Sequence, residues 1–273
     1  MSLVGRLSTA ATEKQDAWMF YGPCGIGKTS LAAAFPKVAF ITDGFDDGIN
    51  DLRRHGLIPD GVQVLKHTDG SDRTLQSYED LISVTKQIAE EPGLEKHIEW
   101  VCFDNLSGVQ EHIWSNRVRT VGKYNNSRDK FLEYGNGPEA AQQDVREWTQ
   151  LLDAVCRRGI GVILLAHSTI KKDKNPIGDS FDKIVPLIHE KTYEAIRQWC
   201  PNIGYIGQEV EIHKEGMQQK AATTDFRTIR LTPIPAVDAK NRHSIAESVM
   251  MGSSGQEAFR NLKAAKLAAK KKG

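Results

Sequence analysis

Cysteine is scarce: four in 273 residues, at Cys24, Cys102, Cys156 and Cys200, with no two in a C-x-x-C pair. That scatter excludes a disulfide scaffold or a zinc knuckle and fits free thiols in a reducing compartment. No apolar run approaches the roughly 20 residues that cross a bilayer. The opening MSLVGRLSTAATEKQ also lacks a secretory apolar segment. A soluble, cytoplasmic protein with no membrane partner is therefore expected. Charge of one sign is missing as well, because 36 basic and 35 acidic side chains leave a formal charge of +1. A bulk basic coat for nucleic acid is excluded, and any such contact must be local. No internal repeat or linker divides the chain, whose 40% apolar content suits one large core.

What is present alternates. DAWMFYG and KVAFITD read as buried strands, TSLAAAF and SYEDLISVTKQIAEEPG as helices closed near Pro36 and Pro92, and IEWVCFD as a third strand. Continuous apolar strands of this kind belong to parallel sheets with both faces covered. Ala141, Val145, Trp148, Leu152 and Val155 recur at helical steps, and GVILLAHS follows as a fourth strand. IGYIGQEVEIHKE and DFRTIRLTP suggest an antiparallel extension. Two polar excursions interrupt the order, Ser115 to Pro138 and TIKKDKNPIGDSFDK. Residues 1–250 are expected as one core, and 251–273 as a basic, flexible C-terminal tail.

GPCGIGKTS fits G-x-x-x-x-G-K-[ST] between an apolar strand and a helix former. Gly22, Pro23, Cys24, Gly25, Ile26, Gly27, Lys28, Thr29 and Ser30 are thus candidate ATP ligands. The glycines let successive N–H groups face a small concavity, and the following helix adds its positive end. Lys28 can reach the β- and γ-phosphates, and the Thr29 hydroxyl can join Mg²⁺. Asp104, ending EWVCFD, is the candidate metal carboxylate. His167, ending VILLAH, is a γ-phosphate sensor or a structural link from strand to loop. Asp43, Asp46 and Asp47 in FITDGFDDG compete to orient the attacking water, with Asp43 favoured for its place at the strand end.

With these residues in place, the chain resembles the RecA-like ATPases, and most closely the small phage-encoded branch associated with single-strand annealing and recombination. GPCGIGKTSLA, VAFITDG, WVCFDNLSG, EYGNGPEAAQQDVREWTQLLD, GVILLAHS and AVDAKNRH carry the likeness. It implies a RecA-like P-loop core with a mostly parallel central sheet, helices on both faces and an antiparallel C-terminal extension. A homo-oligomeric ring or filament is implied, with nucleotide between subunits and Lys240 and Arg242 acting on the neighbour's phosphates. Single-stranded DNA would meet Arg117, Arg119, Lys123, Arg128 and Lys130 in the first excursion and Lys171, Lys172 and Lys174 in the second. Tyr124, Phe131 and Tyr134 are candidate stacking platforms. A single-strand binding protein is a further implied partner.

One departure from the family stands out. Many RecA-like proteins place glutamate after the second strand, where this chain has TDGFDDG, so slow hydrolysis is expected. The expected function is Mg²⁺-dependent ATP hydrolysis coupled to single-stranded DNA in phage recombination or annealing. A replicative helicase-like motor and a nucleotide-gated protein-interaction module remain as alternatives.

Overall fold

The computed structural model describes residues 14–43, 48–59, 61–173, 178–215 and 218–271, and for 209–215 and 218–225 the backbone alone. The strands are β1 (Ala17–Gly22), β2 (Val38–Thr42), β3 (Gln63–Val64), β4 (Trp100–Asp104), β5 (Gly161–Asp173), β6 (Phe181–Pro186), β7 (Asn202–Glu215), β8 (Gln218–Arg230), β9 (Lys240–Asn241) and β10 (Ser248–Met250). The helices are α1 (Lys28–Ala33), α2 (Gly48–Arg54), α3 (Tyr78–Glu90), α4 (Leu106–Thr120), α5 (Arg128–Leu132), α6 (Asn136–Arg157), α7 (Glu190–Trp199) and α8 (Gly255–Lys270). No helix among the described residues is long and apolar enough to cross a membrane.

The sheet runs β10-β8-β7-β1-β5-β4-β2-β3, with β6 on β5 and β9 on β7. From β7 to β3 every neighbour is parallel. The pairs β5–β6, β7–β8, β7–β9 and β8–β10 are antiparallel. The architecture is thus the expected α/β one, with a mostly parallel centre and an antiparallel C-terminal extension. All of AWMFYG and VAFIT is buried, because helices cover both faces. Met19, Tyr21, Phe103, Val162 and Leu164 face one core with α3, α4, α6 and α7. Trp18, Phe20, Phe40, Ile163 and Leu165 face the other with α1 and α8.

The periodic apolar face of α6 is buried as the spacing predicts: Ala141, Val145, Trp148, Leu152 and Val155 all lie within it. Trp148 packs edge-on against Phe103 at 5.2 Å, and its indole N–H reaches the Thr85 hydroxyl at 3.2 Å. Ser77 caps α3 by accepting from the Asp80 amide.

Two expectations are corrected. The segment from Ser115 to Pro138 is not an open polar loop: it holds the second half of α4, α5 and the start of α6. Tyr124 and Phe131 pack on each other at 5.2 Å, and Phe131 also on Trp114, so both rings belong to the core. Nor is the C-terminal segment a loose tail. Residues 255–270 form α8, capped by Ser254, with Ala258 and Leu262 buried and Phe259 against Phe35 at 4.7 Å. Its basic residues kept local sequence reasoning on charge, while the apolar spacing Ala258, Leu262, Ala265 and Ala269 supplies the docking face.

Docking has a measurable consequence. Leu262→Ala should destabilise the protein by about 2–4 kcal/mol in urea unfolding, the cost of deleting a buried leucine side chain. A change within about 0.5 kcal/mol, as on a solvated tail, would contradict the packing of α8.

Candidate nucleotide site

Three parallel strands bring the site together at their carboxyl ends. β5 lies between β1 and β4, with Gly22 beside His167 and Phe103 beside Leu164. On the far side of β4, Asp104 is level with Thr42 of β2. Gly22 is required where β1 ends, since a Cβ there would stand 2.2 Å from the Ile206 carbonyl of the adjacent β7. The loop then turns through Gly27, which precedes α1 with φ of 106°, a left-handed conformation that glycine adopts without strain.

Lys28 is buried, and its ammonium donates to the carbonyls of Gly22 at 3.1 Å and Pro23 at 2.8 Å. It also lies 3.3 Å from His167 Nδ1. An ammonium has only donors, so this contact makes Nδ1 the acceptor and puts the ring proton on Nε2. Beside it the Thr29 hydroxyl donates to Asp104 Oδ2 at 3.1 Å, and Asp104 is 4% exposed. The residues expected to hold phosphate and metal, Lys28 and Thr29 at the start of α1, Asp104 on β4 and His167 on β5, therefore meet in two adjoining contacts. Pro23, Cys24 and Gly25 line the exposed lip of the loop, with Ile26 and Ser30 half-buried.

The donor set fits magnesium. A hydroxyl and a carboxylate oxygen are hard ligands, and Mg²⁺ keeps several waters and substrate phosphates instead of filling its shell from protein. Accordingly no group of three or more His, Cys, Asp or Glu poised for a metal occurs among the described residues. Cys102, on the strand below Asp104, is fully buried; burial first and the Asp104 charge second push its thiol well up, so it is an inert core group.

The expected water-orienting acid lies elsewhere. Asp43 is 1% exposed, and its carboxylate lies directly on Gly108 in the first turn of α4, where any Cβ would collide with it. It follows Ile41 onto the α4 and α6 side of the sheet, whereas Thr29 is on the α1 side. His112, one turn along α4, is held below the usual histidine range by burial, with Asp43 pulling the other way. Water activation by Asp43 would need that first turn of α4 to move. Asp46 and Asp47 lie outside the described residues.

Lys240 also departs from expectation. Its ammonium donates to the carbonyls of Cys200 at 2.7 Å and Gln198 at 3.4 Å, and to that of Arg197, so it closes the carboxyl end of α7. Burial, then the Arg242 charge, lowers its pKa. Arg242 is exposed. Both sit at the amino ends of the strands, because β9 pairs with Asn202 and Ile203 where β7 begins, and Asn202 lies beside Trp18. From Trp18 to Gly22 the strand covers about 13 Å, so Arg242 is at the opposite sheet edge from its own phosphate loop.

Of the residues expected on nucleic acid, three arginines have carboxylate partners. Arg117 grips buried Asp144 at 2.7 Å through Nη2, which raises the guanidinium pKa further. Arg119 meets Glu79 at 2.6 Å, and Arg128 meets Glu111 at 2.8 and 2.9 Å while stacking 4.8 Å from the Trp114 ring. Arg117 and Arg128 thus tie α4 to its neighbours. Lys123, Lys130, Lys171 and Lys172 are exposed, and Lys174 lies outside the described residues.

Sequence reasoning missed Arg227. From β8 its guanidinium donates to the Ile26 carbonyl of the phosphate loop at 3.1 Å and to Gly252 at 3.2 Å. No local pattern in DFRTIR signals a contact so distant along the chain.

A family model described as AAA domain matches residues 14–243. No curated protein matches the chain. Among solved structures, the flagellar accessory protein FlaH from Methanocaldococcus jannaschii is similar at 10% identity, covering 89% of this chain and 87% of that one with a TM-score of 0.40. The family match takes in the phosphate loop, Asp104, His167 and Arg242, and the chain belongs to this AAA domain family.

Proposed function

We propose that the chain is a Mg²⁺-dependent ATPase whose site is completed by a neighbouring subunit and whose cycle acts on single-stranded DNA in phage recombination or annealing. The observation that carries it is the Lys28–His167 and Thr29–Asp104 cluster at the carboxyl ends of β1, β5 and β4. Magnesium, when bound, would supply positive charge against the phosphates. Thr29 and Asp104 would hold it, the latter through water. Lys28 exchanges its loop carbonyls for phosphate oxygens. Movement of the ammonium would alter its contact with His167 Nδ1, so the imidazole would register whether the γ-phosphate is present.

His167 is well connected for such a role. Its carbonyl accepts from the Leu187 amide at 2.7 Å, and the Leu187 carbonyl accepts from the Ser107 hydroxyl at 2.9 Å. The chain of bonds links β5, the β5–β6 hairpin and the helix that follows Asp104. Lys171 and Lys172 lie just beyond on β5. A shift of His167 would thus move the lysines that we assign to DNA backbone.

The DNA surface is narrower than the sequence implied. Lys123, Lys130 and Tyr134 line one hollow of about 140 Å³. Tyr134 is 89% exposed and holds φ of 54°, an uncommon setting for a bulky residue. An exposed aromatic ring in a hollow that two lysines also line suits a stacked base with phosphates nearby. Sequence would not be read by such contacts.

Arg242 fits a role in assembly, because it lies at the end of the strands away from its own phosphate loop and would have to serve a neighbour's. An arginine there would neutralise charge developing on the transferred phosphoryl group.

Two experiments test these assignments. Lys28→Ala should abolish ATP turnover, and Arg242→Ala should lower it on the order of 10³-fold while nucleotide still binds. Mixed oligomers of the two should regain part of the activity, since some interfaces then pair an intact Lys28 with an intact Arg242. Mixed oligomers without any recovery would remove the trans role. For DNA, Lys123→Ala with Lys130→Ala should weaken single-strand binding and reduce the salt slope by about 1.4, at about 0.7 per lost contact. Affinity and slope identical to the parent protein would exclude that surface.

A further inference from the structure

The phosphate loop must turn its N–H groups toward the ligand, and its carbonyls need donors of their own: Lys28 serves Gly22 and Pro23. For Ile26 that donor is Arg227 Nη1, at 3.1 Å. The Ile26–Gly27 peptide is trans, the sole cis bond among the described residues being Asp104–Asn105. In a planar trans peptide the N–H points away from the carbonyl. The Gly27 N–H is therefore directed to the side of the loop opposite Arg227, and the guanidinium pulls electron density from that same amide. Bonds in series strengthen one another, and a charged donor polarises its acceptor more than a neutral one.

The other end of the clamp is anchored. Arg227 Nη2 donates to Gly252 at 3.2 Å, in the turn between β10 and α8. Glu257 fixes this turn by accepting from the Ser253 amide at 2.8 Å and the Ser253 hydroxyl at 2.9 Å. Gly255 lies so close to α1 that a Cβ would stand 2.0 Å from the Ser30 carbonyl. A Cβ on Gly27 would likewise meet Arg227 Nη1 at 2.9 Å, so the glycine admits the guanidinium as well as the turn.

We propose that Arg227 is a positioning residue for nucleotide binding, holding the Ile26–Gly27 peptide in place and strengthening its N–H as a donor to the α- and β-phosphates. The role rests on the reading of the Gly22–Thr29 loop as the phosphate site. It also gives the C-terminal strands and α8 a task at that site: they supply and brace the group that sets the loop.

Calorimetry of MgADP and MgATP binding to full-length variants tests the idea. Arg227→Gln, which removes the charge, should weaken both nucleotides by about tenfold or more, the worth of a charge-assisted bond. Arg227→Lys, which restores the charge with a single ammonium, should recover part of that loss. Lys263→Ala removes an exposed positive charge from α8 and should bind as the parent does. The Gly27 amide proton should move upfield in Arg227→Gln and, by less, in Arg227→Lys, which answers the question alone should the glutamine variant fail to fold. Parental affinity with an unmoved Gly27 signal would overturn the proposal, as would an equal loss in Lys263→Ala. Lys28→Ala separates the two levels: loss there with none in Arg227→Gln removes only the arginine, whereas parental binding by both removes the phosphate site itself.

Discussion

The site depends on the placement of β5 between β1 and β4. Parallel strands lie about 4.8 Å apart, so two such steps are all that separates the end of β1 from the end of β4. A loop of a few residues leaving Gly22 can then set Lys28 on His167 and Thr29 on Asp104 together. Were β4 the direct neighbour of β1, the histidine would be lost from between phosphate and metal. The insertion is fixed by register along the full length of β1, from Ala17 beside Val162 to Gly22 beside His167, and by the burial of every residue in that strand. Packing of the two cores thus sets the geometry of four polar side chains that contribute little to stability themselves.

The antiparallel extension has a similar relation to the loop. β7 approaches Gly22 so closely that only glycine fits, and β8 delivers Arg227 to the next turn. α8 completes the enclosure by packing Ala258, Leu262 and Phe259 on the α1 side of the sheet. The phosphate loop is consequently held from outside by elements that begin some 180 residues after it in the chain. Local opening of the C-terminal segment would loosen the loop before the parallel core felt it.

Legibility in the sequence followed the range of the interactions. Buried strands such as WVCFD and the glycine-lysine loop were readable because the cause of each conformation lies within its own residues. The region around α5 was not, because its helicity is secured from a distance. Arg117 needs Asp144, Arg128 needs Glu111, Phe131 needs Trp114, and Tyr124 needs Phe131. Polar residues that look solvated in one dimension are ion-paired in three. For Asp43 the strand position was legible but the face was not, and the alternation beyond Ile41 carries its carboxylate against Gly108 of α4. Lys240 shows the same limit, since its acceptors are the last carbonyls of α7.

These placements also constrain assembly. The phosphate cluster is at the carboxyl edge of the parallel strands and Arg242 at the amino edge. If Arg242 serves a neighbour, the contact joins two different faces of identical subunits. Such a contact is heterologous, and it cannot close by a two-fold axis, where each face must meet its own copy. Every subunit then offers an unused edge to another, and the series ends only by closing into a ring or continues as a helical filament. Hydrolysis in that arrangement belongs to the interface and not to the subunit. A dilute monomer would hold nucleotide between Lys28, Thr29 and Asp104 but would lack the arginine that a neighbour adds as the phosphoryl group leaves. The same geometry would make turnover report on assembly.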